Sequence, residues 1–328
     1  MTSQPTTSPP IALSRYSKVV VAAAFVVIVA GAHTTTAGAG MAFPDWPLSN
    51  GSLNPQGWLT NLMMFLEHSH RLIAGTVAAM IGVLAIWTTI RRRDVPGGSV
   101  GLAWWAFGGV LAQALLGGLR VMLDPQGIAA TTSTIATTFR VLHGCAAQLE
   151  LCLLVALAAR LSPVWNRIQG AAGSGFAWAV SAAIFLQLII GATMRHLGAG
   201  LAIPTFPQAS PTGSWMPAAH DIYTDLNFTH TRLGASVVSI LILVLVMRSL
   251  RMESTVFSRP ATFLLALVLV QIGLGVSVIW TTRQPIVTTL HVVNGAAVLA
   301  TAVLLAVRLG RTSHLSNSPH QSLSQAIA

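Results

Sequence analysis

The chain has 328 residues, of which 53% are hydrophobic and only 8% carry a charge. Soluble domains carry roughly 25% charged residues, so this composition argues against a soluble globular fold. The net charge of +10 does not indicate a nucleic-acid-binding protein, because the basic residues form short clusters between long apolar segments.

Eight apolar segments are long enough to cross a bilayer, which needs about 20 residues per helix. In chain order the predicted helices lie at 18–40, 64–90, 100–121, 138–161, 174–196, 228–248, 260–281 and 287–308. The segments are continuously apolar rather than alternating, and lipid admits only helices or closed barrels. The sequence therefore predicts an all-α integral membrane protein with eight transmembrane helices.

The polar segments divide the chain. Residues 1–17 and 309–328 are expected to form disordered cytoplasmic tails, and 162–173 a cytoplasmic linker between the units 18–161 and 174–308. Of the 18 basic residues, 12 fall on the side that holds both chain ends. The positive-inside rule places that side in the cytoplasm, which predicts a multi-pass protein of the bacterial plasma membrane with both termini inside.

The chain also repeats itself at an offset of 160 residues. Gly31 matches Gly191, His70 matches His230, and two Gly-rich, Pro-containing loops follow the glycines at the same offset. Gln113 and Gln271 correspond as well, each with glycines close behind. An even number of helices per unit makes the repeats parallel. We therefore expect two pseudo-symmetric four-helix bundles.

Four histidines occupy equivalent places in this repeat, each near the first turn of an even-numbered predicted helix. They are His70, His143, His230 and His291. Ionisable groups between membrane helices are functional candidates, and two facing neutral imidazoles suit haem iron. A zinc site is disfavoured because it would need a tighter cluster or a carboxylate, and interfacial histidines that bind no metal are the alternative. Flanking glycines are expected to let a flat macrocycle approach: Gly75, Gly144, Gly234 and Gly295.

Glu67 precedes His70 by three residues and shares its helix face, whereas the second half has Asn227 at this place. A carboxylate in one half only favours a role in chemistry, as a proton relay or by positioning an oxygen species. The alternative is an acidic residue favoured by the helix dipole. Glu150 lies two turns beyond His143 and either carries protons or pairs with a neighbour.

Six arginines near the outer surface allow two interpretations, binding of haem propionates or snorkelling to lipid headgroups. They are Arg71, Arg120, Arg140, Arg195, Arg232 and Arg283. The remaining histidines, among them His33, His68 and His196, are expected to be structural or interfacial.

Together these features resemble the haem A synthase family. The residues that carry the resemblance are Glu67-x-x-His70-Arg71, the histidines that open helices four, six and eight, and the stretch from Gly38 to Pro47 with Pro-Asp-Trp-Pro at 44–47. The resemblance implies an oxidoreductase that converts the C8 methyl of haem O to the formyl group of haem A by successive hydroxylations. Its product serves terminal oxidases.

The resemblance also implies roles. His70 and His143 would ligate the iron of the substrate haem, with Glu67 as the catalytic residue, and His230 and His291 the iron of a haem b that relays electrons. The implied partners are the bilayer, haem O, the haem O synthase and an electron donor that the sequence does not identify. A homo-oligomer is left open, and no nucleic acid is expected.

Two features depart from the family pattern. Some members carry a cysteine pair in the first outer loop, and residues 41–63 have no cysteine; Thr231 also separates His230 from Arg232. The rival function is a di-haem electron carrier of the cytochrome b type without substrate oxidation, against which the unmatched Glu67 argues. A transporter or haem-binding chaperone would need charged residues near the midplane, and only Glu150 qualifies.

Overall fold

The computed structural model describes residues 9–123, 134–168 and 173–316, with side chains up to 311. In these ranges eight helices are long and apolar enough to cross a membrane. They are α1 (Ile11–Thr36), α2 (Leu62–Ile90), α3 (Ser99–Met122), α4 (Thr134–Arg160), α5 (Ser174–His196), α6 (Ile222–Leu250), α7 (Thr255–Trp280) and α8 (Pro285–Ser316). The predicted all-α class and the eight helices are confirmed.

The helix ends differ from the predicted ones. α1 begins at Ile11, so residues 11–17, expected in a disordered tail, are helical, and Leu13 is fully buried. α8 likewise continues past 308 to Ser316. The rest of the two expected tails (1–8 and 317–328) and residues 169–172 of the linker lie outside the described residues.

Capping explains why two helices begin earlier than predicted. The Asn61 side chain accepts hydrogen bonds from the backbone N–H groups of Met63 and Met64, so α2 begins at 62. Asp221 does the same for α6, which begins at 222 rather than 228. Hydropathy does not register such polar caps, which satisfy the first N–H groups of a helix.

The helices pack in two groups. Within α1–α4 each helix contacts the next and α4 contacts α1, and within α5–α8 the same holds, with α8 against α5. α8 also contacts α1 and α4, which joins the two groups. It is the most buried of the eight helices: 56% of the residues in its most apolar stretch are buried, against at most 39% in any other. That the two groups are related by pseudo-symmetry stays a prediction.

The outer surface is apolar, as lipid contact requires. Large side chains such as Trp105 (75% exposed) and Leu269 (64%) point away from the protein. We call the end of the bundle that carries the connections 37–61 and 197–221 the loop face, and the opposite end the terminal face.

Candidate functional site

The four histidines lie on α2, α4, α6 and α8, nearer the loop face than the terminal face. Each follows the first described residue of its helix by six to nine positions (70 − 62, 143 − 134, 230 − 222 and 291 − 285). At 1.5 Å per residue this is roughly 9–14 Å inside the helix. The sequence had predicted the imidazoles in the first turn of each helix. They lie deeper than that because the helices begin earlier in the chain than predicted.

Each histidine ring packs against a glycine of the transmembrane helix that precedes its own. A Cβ on these glycines would lie 2.5–3.2 Å from Cε1 of the ring, which is too close for a carbon contact at Gly31, Gly117 and Gly191 and tight at Gly275. The pairs are His70 with Gly31, His143 with Gly117, His230 with Gly191 and His291 with Gly275. The missing side chain makes room for the ring at all four places, and the arrangement occurs twice in each half.

The glycines expected to make room for a macrocycle behave differently. Gly75 and Gly144 face open space, whereas Gly234 lies against Gln187 and Gly295 against Leu188 and Gln271. The four glycines that do contact the rings were visible in the sequence as repeat-matched residues. Their role was missed because it depends on which helices are neighbours.

Three glutamines contact the same histidines. The side-chain N–H of Gln113 donates to the His143 carbonyl at 2.7 Å, and that of Gln187 donates to the His230 carbonyl at 2.7 Å. Gln271 Nε2 lies 3.3 Å from His291 Nδ1. The sequence repeat identified Gln113 and Gln271 but gave no signal for Gln187.

Two of the histidines, on α6 and α8 of the second group of helices, face each other. His230 and His291 have ring centres 6.4 Å apart with planes at 83°. Two imidazoles that bind one metal ion from opposite sides at about 2 Å each have ring centres roughly 6 Å apart. His70 and His143 lie on α2 and α4 of the first group, at the positions that the repeat matches to His230 and His291.

Buried nitrogen atoms support a ligand role. Nδ1 of His70, His143 and His230 is buried and has no hydrogen-bond partner among the residues that the structure describes. A buried polar atom without a partner is rare in proteins. Together with the facing pair of the second half and the matched positions of His70 and His143, these atoms make the donor set suitable for a haem in each half.

Glu67 is buried and held on two sides. Its Oε1 accepts a hydrogen bond from Arg71 Nη2 at 2.6 Å, and its Oε2 accepts one from the backbone N–H of Phe43 at 3.1 Å. Arg71 also donates to the carbonyls of Asp45 at 2.7 Å and Leu48 at 2.5 Å. We call Arg71 with these two carbonyls the first clamp, because it fixes the loop after α1 to α2.

The loop closed by this clamp is also ordered from within. The Asp45 carboxylate accepts hydrogen bonds from the backbone N–H groups of Asn50 at 2.8 Å and Gly51 at 2.7 Å. Burial raises the pKa of Asp45, but the hydrogen bonds from Gly51 and Asn50 and the charge of Arg71 outweigh it and lower the pKa below its usual value. The carboxylate form thus stabilises the loop at neutral pH.

A second clamp holds the equivalent loop of the other half. Arg232 donates to the carbonyls of Thr205 at 2.5 Å and Gln208 at 2.9 Å. These acceptors follow Asp45 and Leu48 by 160 residues, whereas Arg232 follows Arg71 by 161.

The extra residue lies in a π-helical turn, Thr229–Gly234, inside α6. A π-helical turn accommodates one inserted residue in an α-helix. Thr231, which interrupted the family pattern, is therefore absorbed without moving Arg232 away from its loop.

The place of Glu67 is taken by a neutral group in the second half. Asn227 is fully buried and donates from Nδ2 to the Ala199 carbonyl at 2.9 Å. The Thr231 hydroxyl donates to the Asn227 backbone carbonyl at 2.7 Å and lies 3.3 Å from Asn227 Oδ1. The same hydroxyl accepts a hydrogen bond from Arg232 Nη1 at 2.6 Å. A chain of amide and hydroxyl groups thus replaces the ion pair.

Other candidates have structural surroundings. The His68 side chain is buried, with Nδ1 3.0 Å from the Ser49 hydroxyl and Nε2 3.1 Å from the Leu53 carbonyl. These two contacts anchor the first loop to α2. Arg195 of α5 donates to the Thr36 hydroxyl of α1 at 2.8 Å, so this arginine joins the two groups of helices. Arg71 and Arg232 are occupied by their clamps, an outcome that neither interpretation of the outer arginines had anticipated.

Comparison with known proteins gives one family. Residues 14–303 match the model of the COX15-CtaA family, described as cytochrome oxidase assembly protein. A relative named heme A synthase from Halalkalibacterium halodurans is 26% identical over 291 residues, which cover 87% of this chain and 93% of the relative.

Other relatives carry the same name. The heme A synthase of Geobacillus kaustophilus is 25% identical over 87% of this chain and 88% of its own length. That of Bacillus licheniformis is 29% identical over 193 residues, and the match spans 58% of this chain and 61% of that protein.

Proposed function

The chain belongs to the COX15-CtaA family of cytochrome oxidase assembly proteins, and on that premise we propose that it is a membrane-bound oxidoreductase of haem A biosynthesis. In this proposal it converts the C8 methyl of haem O to a formyl group by successive hydroxylations. The observation that carries the proposal is the buried Glu67, held one turn from His70 in one half only, where the other half has Asn227.

We assign the two histidine pairs to two haems. His70 and His143 would hold the iron of haem O, the substrate, and His230 and His291 the iron of a haem b. When bound, the haems would supply the oxygen and electron-transfer chemistry. The glycine contacts support this assignment because they fix each imidazole against a helix backbone, which limits ring motion.

Glu67 would act beside the substrate as a proton relay, its carboxylate taking up a proton and passing it on. Hydroxylation of a methyl group by dioxygen consumes two electrons and two protons and releases one water, so a carboxyl group near the reacting carbon can supply protons. The hydrogen bonds from Arg71 and Phe43 hold the two oxygens of Glu67 in fixed positions. The same bonds tie the carboxylate to the loop that covers this end of the first half.

The partners we propose are the bilayer, haem O, the haem O synthase that supplies it, and an electron donor that reduces the haem b. Both chain ends would lie in the cytoplasm, so that the loop face and the histidine pairs lie towards the outer surface. The basic residues on the terminal side support this orientation.

A di-haem electron carrier of the cytochrome b type is the second candidate. It is favoured by the likeness of the two halves, which share the glycine contacts and the loop clamps. A carrier has no use for a carboxylate in one half only, so Glu67 distinguishes the two functions.

The test is the variant Glu67→Gln, which keeps the size of the side chain and one acceptor oxygen. We expect normal total haem but a loss of formyl haem by roughly 100-fold, the usual contribution of a proton-transfer group. Pyridine-haem analysis of the purified protein measures both quantities. The matched control is Asn227→Asp, which alters the equivalent position and should leave formyl haem present; normal formyl haem in Glu67→Gln would exclude the proposed role.

A further inference from the structure

Glu150 is a second buried carboxyl group, on α4 and seven residues beyond His143. It is 8% exposed, and neither of its carboxyl oxygens has a hydrogen-bond partner in the part of the chain that the structure describes. Its Oε2 lies against Gly109 of α3, where a Cβ would collide with the oxygen. Glycine at 109 thus opens a notch in α3 that admits the carboxyl group.

A line of contacts connects this notch with the substrate site. Gly109, Gln113 and Gly117 follow each other at intervals of four residues and so share one face of α3. They contact, in order, the Glu150 carboxyl, the backbone carbonyl of His143 and the His143 ring. Seven residues of helix separate Glu150 from His143, a distance of roughly 10 Å along the axis.

Gln113 lies midway along this line, and its side-chain oxygen is a free hydrogen-bond acceptor among the described residues. Its Nε2 donates to His143, whereas its Oε1 is buried without a hydrogen-bond partner among the described residues. In the second half the corresponding Gln271 Oε1 accepts a hydrogen bond from Asn294 Nδ2 at 2.8 Å. Gln187, which donates to the His230 carbonyl, also keeps a buried Oε1 without a partner among the described residues, so the acid and its notch, rather than the free acceptor, distinguish the first half.

The notch and its carboxyl group are absent from the second half. The offset of 158 that relates Gln113 to Gln271 places Leu267 opposite Gly109, and the offset of 148 that relates His143 to His291 places Val298 opposite Glu150. Val298 is buried and Leu267 packs against the same apolar core. Two apolar side chains thus fill the space that a glycine and an acid occupy in the first half.

An ionised carboxylate without a partner is costly inside a membrane, so this site favours the protonated acid. We propose that Glu150 is a proton-transfer residue that supplies protons to the substrate site between His70 and His143. The O–H bond of the Glu150 carboxyl breaks, the proton moves along the line past Gln113 Oε1, and a proton from the aqueous phase restores the acid. This inference rests on the proposed function, which consumes two protons for each methyl hydroxylation by dioxygen.

The test is infrared spectroscopy of the haem-loaded protein and of Glu150→Gln. We expect the C=O stretching band of a protonated carboxyl group in the unaltered protein, a shift of this band to lower frequency in D2O, and its loss in Glu150→Gln. In Gln113→Leu the band should remain. Absence of the band, or a band that does not shift in D2O, would overturn the proposal, because Glu150 would then be ionised or closed to proton exchange.

Activity separates this inference from the proposed function. Formyl-haem production should fall roughly 100-fold in Glu150→Gln at normal haem content, and the control Gln148→Met, at a buried α4 residue off the line, should leave it unchanged. Normal production in Glu150→Gln together with its loss in Glu67→Gln would refute the role of Glu150 alone. Absence of formyl haem even from the unaltered protein would refute the proposed function, and the infrared result would still report on Glu150.

Discussion

The first half of the molecule, α1–α4, and the second half, α5–α8, hold their histidines in the same way but surround them with different charges. In each half two imidazoles pack on glycines, and an arginine clamps the loop that covers the pair. The first half adds two buried acids, Glu67 and Glu150, where the second has Asn227 and Val298. In the proposed function the shared parts hold a flat cofactor in each half, and the acids serve proton chemistry in one.

The neutral second half suits a site that only passes electrons. An amide, a hydroxyl and an aliphatic side chain replace the two acids there, and none of these groups titrates near neutral pH. The first half keeps two buried acids, although burying an ionisable group away from water costs free energy. Such a cost indicates function more often than stability.

The largest expected effect comes from removing one ligand in each half. His70→Ala should lose the substrate haem and keep haem b, and His230→Ala should lose haem b and keep haem O, because in the proposed assignment each pair ligates a separate iron. Formyl haem should be absent from both variants, from His70→Ala because the substrate is not held and from His230→Ala because electrons are not relayed. Pyridine-haem analysis distinguishes the two losses, and loss of the same haem type from both variants would contradict the assignment of one haem to each half.

The two clamps should differ in their contribution to stability. Arg71→Gln leaves Glu67 buried without its ionic partner, which costs about 3–5 kcal/mol. Arg232→Gln removes hydrogen bonds to backbone carbonyls and a hydroxyl, at about 1–3 kcal/mol. Thermal unfolding in detergent measures the difference.

A double variant shows whether the ion pair is the cause of that difference. In Glu67→Gln/Arg71→Gln no charge is left unpaired, so the excess cost of Arg71→Gln should largely disappear. Equal destabilisation by Arg71→Gln and Arg232→Gln would show instead that the loop contacts, rather than the ion pair, set the stability of the first clamp.

The clamps also show what sequence reasoning can reach. Hydropathy was sufficient for the eight helices, and the repeat was sufficient to pair His70 with His230. It was not sufficient for Arg232, because a π-helical turn shifts the register by one residue and hides the correspondence with Arg71. The repeat also exposed Glu67 as unmatched, but its partner Phe43 N–H lies on a loop whose path depends on tertiary contacts.

The glycines illustrate the same limit. Gly31 and Gly191 marked the repeat, yet the glycines predicted to make room for a macrocycle were those near the histidines in the chain, such as Gly75. A ring that projects from one helix meets the neighbouring helix, so the residue that must lack a side chain is far away in sequence. Which helix is the neighbour follows from packing and not from periodicity.

The smallest effect that we expect is a graded one across the glycines of both halves. Alanine at Gly191, Gly31 or Gly275 would place Cβ 2.5, 2.8 or 3.2 Å from Cε1 of the adjacent histidine. Overpacking costs about 1–3 kcal/mol, so haem content and melting temperature should fall most for Gly191→Ala and least for Gly275→Ala. Gly75→Ala is the control, because a Cβ there meets open space. Haem-to-protein ratios measure the series, and a loss in Gly75→Ala as large as in Gly191→Ala would mean that helix propensity or lipid contact, rather than the fit of the ring, governs these positions.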